Sequence, residues 1–115
     1  MRRGDIYLVE YEPVRRNEAD HARPSVIVSN DGANAVVSRT ERGVVTVVPL
    51  TSNTSRVYPF QVLLPAAECG LPKDSKAQCE QVRAMAQERF LRYLGAVPRR
   101  RMAEIDAALR RHLAL

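Results

Sequence analysis

Tryptophan is missing from this 115-residue chain, histidine occurs twice, and lysine is scarce, with two lysines against sixteen arginines. Each shortage excludes something. His21 and His112 are too few, and too far apart, to build a cluster of imidazoles and carboxylates at metal-ligand spacing, so we expect no metal and no cofactor. GxSxG, P-loop and HExxH patterns are absent as well. Cys69 and Cys79 are ten positions apart, neither a CxxC pair nor a zinc spacing, and we read them as reduced packing residues. No apolar run approaches the roughly 18 residues that span a bilayer. The opening Met-Arg-Arg-Gly-Asp lacks the apolar centre of a signal peptide, so we expect a cytoplasmic protein with no membrane contact.

What remains is ordinary globular material with an unusual charge. The apolar fraction is 45%, and there is no repeat or low-complexity segment, which predicts one domain over residues 1–115. The net charge of +5 is carried almost wholly by arginine. A guanidinium grips phosphate with two parallel donors and stacks on bases, so this bias favours a nucleic-acid partner. Arg99-Arg100-Arg101 and Arg110-Arg111 are read instead as a solvated helix face.

The pattern along the chain is mainly β. Strands are predicted at Asp5–Tyr11, Ser25–Ser29, Gly43–Thr51, Pro59–Leu64, Lys76–Val82 and Leu91–Leu94, where β-branched, aromatic and alternating residues concentrate. Pro49 is expected to mark a bulge or the end of pairing in the third. A short helix is predicted over Ala33–Ser38, capped by Asn30 or Asp31. Residues 65–74, with Gly70 and Pro72, read as a loop, and Ala86–Arg89 as a helical turn. From Pro98 the spacing of Met102, Ile105, Ala108, Leu109, His112 and Leu113 is helical, with His112 partly buried. Six short strands and a terminal helix predict a small twisted barrel with one helix packed on it.

One stretch organises the chemistry. Glu12–Ala22 is nearly all polar and long for a hairpin loop, and it runs into an apolar strand through Arg23. Pro24 fixes its own φ and biases Arg23 toward an extended backbone, which limits where the guanidinium points. The same residue also fits a plain strand start in solvent. The third strand delivers Thr51, Ser52 and Asn53 to its end, and in an antiparallel pair that end lies beside Arg23. Glu18, Arg23, Thr51, Ser52 and Glu80, with Asn17 and Arg56 around them, form a phosphate-centred set: a cation, hydroxyl donors and proton-accepting carboxylates. His21 lies in the loop where acid–base work would be done. No strong protein nucleophile accompanies them. RNA supplies its own in the 2′-OH, so an enzyme that orients this group, takes its proton and stabilises the charged phosphorane needs only such residues.

With these residues in place the chain resembles the MazF/PemK family of toxin endoribonucleases. The resemblance rests on Arg3-Gly4-Asp5-Ile6-Tyr7, Glu18 followed by Arg23-Pro24, Val48-Pro49-Leu50-Thr51-Ser52, Tyr58-Pro59-Phe60 and Glu80-Gln81-Val82-Arg83, in order over nearly the whole chain. It implies an SH3-like barrel of the CcdB/PemK type with a C-terminal helix, and a homodimer. The implied activity is ribosome-independent, metal-independent cleavage of single-stranded mRNA at a short sequence, leaving a 2′,3′-cyclic phosphate and a 5′-OH. It also implies a cognate antitoxin, with DNA binding as part of that complex.

By the same resemblance Arg23 and Thr51 are the principal catalytic positions and Glu18 supports them. Asn17 stands where some relatives have histidine. Glu80 stands where some have a proposed aspartate base, while the arginine two residues before that base is Gln78 here. Asn17, His21, Ser52, Asn53, Arg56, Gln81 and Arg83 are the expected RNA contacts. A guanidinium, with its pKa above about 12, is a poor proton shuttle at neutral pH. Arg23 is therefore assigned to charge stabilisation, and Glu18 or Glu80 to the base. The competing readings are a non-catalytic CcdB-like toxin that binds an enzyme such as DNA gyrase, and a plain RNA-binding module.

Overall fold

The computed structural model describes residues 1–11 and 22–115. Strand β1 (Asp5–Glu10) follows Gly4, whose φ of +96° turns the chain into the sheet, and its apolar run Ile6-Tyr7-Leu8-Val9 has the β-branched and aromatic content of a strand, with Ile6 and Val9 buried. It pairs antiparallel with β2 (Ala22–Ile27) on one flank and with β7 (Phe90–Ala96) on the other. The second strand thus begins three residues before the predicted Ser25, and Arg23 lies inside it. Pro24 is accommodated because the register pairs between β2 and the strand Val44–Thr51 begin only at Ser25, so a missing N–H there costs the ladder little.

The hydrophobic run from Val44 to Thr51 forms β3, the strand on which most of the sheet converges. One edge pairs with β2 through Val47, Val48 and Pro49. The other pairs with β6 (Arg83–Ala86) through Val44–Val47 and then with β5 (Ser75–Gln78) through Leu50 and Thr51. Pro49 ends the register with β2 and sits where the second edge changes partner, a position that asks for no N–H. A 3₁₀ turn at Cys79–Gln81 separates β5 from β6. The predicted strand Lys76–Val82 therefore stops at Gln78, β6 beyond it is an additional strand, and the sheet has seven strands rather than six: with β4 at Gln61–Leu64, the order is β4-β5-β3-β2-β1-β7 with β6 also on β3. The break lets one long strand serve two ladders while the sheet curls into a barrel.

The connections differ from expectation in three places. Strand β4 is confined to Gln61–Leu64, because Tyr58–Phe60 make a turn closed by the Gln61 N–H donating to the Tyr58 carbonyl at 2.8 Å. The predicted loop after it contains the short helix α2 (Ala66–Cys69), held by the Ala66 N–H donating to Asp74 Oδ1 and ended by Gly70 at φ +75°. Helix α1 runs over Asp31–Thr40, longer than Ala33–Ser38, with the side chain of Asn30 accepting from the Ala33 N–H at 2.8 Å.

Helix α3 (Arg99–Leu113) buries Met102, Ile105 and Ala108 against Ile6, Val26, Val48 and Leu50 on one sheet face. Pro98 is its N-cap rather than part of its first turn. His112 is exposed, contrary to expectation, because the last turn extends past the covered stripe. Arg101 is not simply solvated: it clamps Glu68 of α2 through Nε at 3.0 Å and Nη2 at 3.1 Å. The opposite sheet face buries Val9, Ile27, Val45 and Val47 with Val37 of α1 and Met85. Cys79 is fully buried, and burial pushes its thiol up to about 12, in line with a packing role. Among the described residues no helix is long and apolar enough to cross a membrane.

Candidate nucleic-acid interface

The β2–β3 register, set by Ser25↔Pro49 and Val26↔Val48, puts Arg23 across from Thr51 when it is carried two residues further. Val9 pairs with Arg23 on one side, and Lys76 pairs with Thr51 and with Leu63 on the other. One transverse row therefore holds an arginine, a threonine and a lysine on adjacent strands. Because side chains alternate, the row two residues along, with Ser25, Pro49, Gln78 and Gln61, presents to the same face.

The side chains settle into distinct contacts. Arg23 Nη2 donates to the Leu50 carbonyl at 3.0 Å and to Gln78 Oε1. Its guanidinium carbon lies 6.0 Å from the Tyr11 ring centroid, and that of Arg83 lies 5.2 Å from the same ring. The Tyr11 hydroxyl is hydrogen-bonded to Ser25 Oγ. Burial raises the Tyr11 pKa above its ordinary value, opposed by the bond to Ser25 and by the two guanidinium charges. The Tyr11 ring, just before the polar segment 12–21, thus lies within cation–π reach of both guanidiniums.

Downstream of β3 the backbone is irregular. Thr51 Oγ1 accepts from the Asn53 N–H at 3.3 Å, and Asn53 Oδ1 accepts from the Ser55 hydroxyl at 2.8 Å, so Ser52 and Asn53 are exposed beside Thr51 on a turn braced by side chains. Arg56 Nη1 donates to the Tyr58 hydroxyl at 3.1 Å, and Lys76 Nζ donates to the Arg56 carbonyl at 2.5 Å. Tyr58 stacks flat on Phe60 at a centroid distance of 5.4 Å.

The expected residues divide accordingly. Arg23, Thr51 and Arg83 gather around Tyr11, Gln78 and Lys76, while Ser52, Asn53 and Arg56 continue the same edge. Gln81 is exposed on the 3₁₀ turn. Glu80 stands apart. Its Oε2 accepts from Gln61 Nε2 at 2.8 Å, and its Oε1 is buried with no hydrogen-bond partner among the described residues. Asn17, Glu18 and His21 lie outside the described residues. Tyr11, Ser25 and Lys76 escaped the sequence reading. Register arithmetic alone would have put Lys76 beside Thr51, whereas Tyr11 looks like one more strand aromatic.

A small barrel whose strand ends line up an arginine, a hydroxyl and a lysine, with further arginines stacked on aromatic rings, belongs to the class of phosphate-gripping nucleic-acid binders. Comparison with known proteins makes this specific. The family described as PemK-like, MazF-like toxin of type II toxin-antitoxin system matches residues 2–113, and the chain belongs to it. It is 55% identical to endoribonuclease MazF9 of Mycobacterium tuberculosis over 115 residues, covering 100% of this chain and 98% of that protein. A mycobacterial endoribonuclease solved in complex with its cognate antitoxin superposes with a TM-score of 0.76 at 25% identity, covering 100% of this chain and 96% of the other. MazF from Deinococcus radiodurans shares the fold with a TM-score of 0.78 at 23% identity over 100% of this chain and 97% of that one.

Proposed function

We propose that this chain is the toxin of a type II toxin–antitoxin pair, a metal-independent and ribosome-independent endoribonuclease that cuts single-stranded mRNA at a short sequence. The observation that carries the reading is the placement of Arg23 across from Thr51, with its guanidinium tied, among the described residues, to the neutral acceptors Leu50 O and Gln78 Oε1, which leave its positive charge for a phosphate. The relatives' names, endoribonuclease, support the same activity.

In this reading the ribose 2′-oxygen attacks the adjacent phosphorus as its proton passes to a carboxylate. The P–O5′ bond breaks, the 5′-oxygen takes up a proton, and the products are a 2′,3′-cyclic phosphate and a 5′-OH. Arg23 stabilises the charge that builds on the phosphoryl oxygens, and the Thr51 hydroxyl donates beside it. Glu80 is engaged by Gln61 and closed to solvent on its other oxygen, so we assign the base to Glu18, five residues before Arg23. Asn17, His21, Ser52, Asn53, Arg56, Gln81 and Arg83 contact the RNA, and Tyr11 joins them as a stacking ring.

The partner is an antitoxin whose acidic, flexible C-terminal part covers this surface. Charge steers it onto a chain of net +5, and an apolar anchor fits the cavity of about 300 Å³ lined by Leu8, Pro24, Leu50 and Leu94, which adjoins the site through Thr51 and Ser52 and has Arg92 and Lys73 beside it. The toxin acts as a cytoplasmic homodimer that joins two such surfaces, and exposed Leu91 and Tyr93 on β7 supply apolar area for the contact.

The deciding experiment incubates purified protein with a long single-stranded RNA in excess EDTA. Discrete cleavage giving 5′-OH ends, abolished by a single deoxyribose at the cleaved position, is the expected result. Cutting that survives the deoxy substitution, or yields 5′-phosphates, would make water the nucleophile and overturn the mechanism. No cutting at all would favour a toxin that binds and inhibits an enzyme instead.

A further inference from the structure

We infer that Gln78 is a positioning residue for Arg23: its side-chain carbonyl fixes the direction of the guanidinium without cancelling its charge. The inference rests on the proposed role of Arg23 at the scissile phosphate and deepens it.

An arginine side chain has four rotatable bonds, and an unrestrained one spreads its charge over many positions. Here two acceptors converge on a single nitrogen, Nη2: the Leu50 carbonyl at 3.0 Å and Gln78 Oε1. Both are anchored in the sheet. Leu50 is the residue before Thr51 on β3, and Gln78 on β5 is held by its register with Gln61 on β4. Among the described residues neither Nε nor Nη1 makes a hydrogen bond, so the fork that suits two phosphate oxygens remains open while the far corner is pinned. The Tyr11 ring at 6.0 Å limits the remaining sideways freedom.

The chemical type of residue 78 matters as much as its reach. A glutamine oxygen accepts from the guanidinium as a neutral dipole. A carboxylate at the same point would form an ion pair and compete with the substrate phosphate, and an aliphatic side chain would leave Nη2 with the Leu50 carbonyl alone. Gln78 therefore fits a site in which arginine supplies charge and is not required to exchange protons.

The test compares Gln78→Leu, Gln78→Glu, Gln78→Asn and Arg23→Ala with wild type on one RNA, reading kcat, KM, the pH profile and thermal melting. Gln78→Leu should lower kcat by about tenfold with KM nearly unchanged, since orientation in the transition state is lost before binding is. Gln78→Glu should lower kcat by about a hundredfold at neutral pH, and its rate relative to wild type at the same pH should recover as pH falls below about 4, where the introduced carboxyl is protonated and again neutral. That recovery is a signature a merely structural residue would not give. Should Gln78→Glu fail to fold, Gln78→Asn keeps the amide on a shorter stem and should still lower kcat. Folded Gln78 variants with wild-type kcat and pH profile, beside an inactive Arg23→Ala, would overturn this role and leave the reading of Arg23 standing. Wild-type cleavage by Arg23→Ala would overturn both.

Discussion

Lys76 pairs with Thr51 across the β3–β5 ladder, and its ammonium donates to the main-chain carbonyl of Arg56 at 2.5 Å. The lysine is only 8% exposed and also lies 5.9 Å from the Tyr58 ring centroid. A charge this well covered is held by what it bonds, and what it bonds is the irregular segment that carries Asn53 and Arg56. Replacing Lys76 by Met keeps the stem and removes the donor, leaving the Arg56 carbonyl to find another. We expect a loss of about 1–3 kcal/mol of stability and weaker RNA binding with kcat largely kept. Melting curves and binding isotherms check this, and unchanged values in both would show that the segment is held by other contacts.

Arg23→Ala should fold as wild type, because its guanidinium is only partly buried and the core makes no use of it. Cleavage should fall by about a hundredfold, the size of effect seen when one charged donor to a developing oxyanion is removed, near 3 kcal/mol. Thr51→Ala should fall less, since a neutral hydroxyl contributes less than a charge. Single-turnover rates on a fixed RNA measure both. A Thr51→Ala defect larger than that of Arg23→Ala would reverse the assigned order of importance.

The long, β-branched run to Thr51 and the helical spacing from Met102 to Ala108 can be read directly, since each pattern has a single structural outcome. From these ends follows the pairing of Arg23 with Thr51, half of the site. The end of β5 at Gln78 and the start of β6 at Arg83 cannot be read, because the 3₁₀ turn at Cys79–Gln81 is imposed by β3 having to serve two ladders, a demand invisible in residues 76–82. Helix α2 is hidden for a similar reason: four residues carry no period, and an Asp74 carboxylate eight positions away holds them. The functional surround fails the same way. Tyr11, Gln78 and Lys76 meet Arg23 or Thr51 only through register, and their side-chain types give no local sign of it. His112 fits the helical stripe on paper, yet the helix outruns the sheet it covers.

Gly95 marks where the barrel wall is tightest. A Cβ there would stand 2.1 Å from the carbonyl oxygen of Cys69 in α2, a main-chain atom that cannot swing aside. Gly95→Ala must push β7 away from α2 and break packing around Cys69 and Val97. A cost of about 1–3 kcal/mol or more is expected for such overpacking, against a change of a few tenths for Ala at exposed Gly32 in helix α1, where the nearest atom is a side-chain oxygen of Asn30 at 3.3 Å. Chemical denaturation of the two variants is the measurement, and equal stabilities would mean that the α2–β7 contact yields freely.

The acid limb of stability should come from two surface carboxylates. Glu68 has its pKa lowered first by the hydrogen bond from Arg101 and further by the charges of Arg101 and Arg100. Asp31 is lowered first by the main-chain N–H of Arg3, which donates to its Oδ1 at 2.6 Å. A carboxylate whose folded pKa lies below its unfolded value adds stability that is fully present above about pH 4, near the unfolded pKa, and is lost as pH falls through the folded one. Melting temperature should therefore be flat on the neutral side with respect to these groups and drop on going from about pH 4 downward. Glu68→Gln cannot lose a charge it does not carry. It should be less stable than wild type at pH 7, since Arg101 then bridges to a neutral amide, and should show a shallower acid decline. Parallel melts of wild type, Glu68→Gln and Asp31→Asn across that range test the assignment, and identical acid slopes in all three would place the acid sensitivity in other carboxylates.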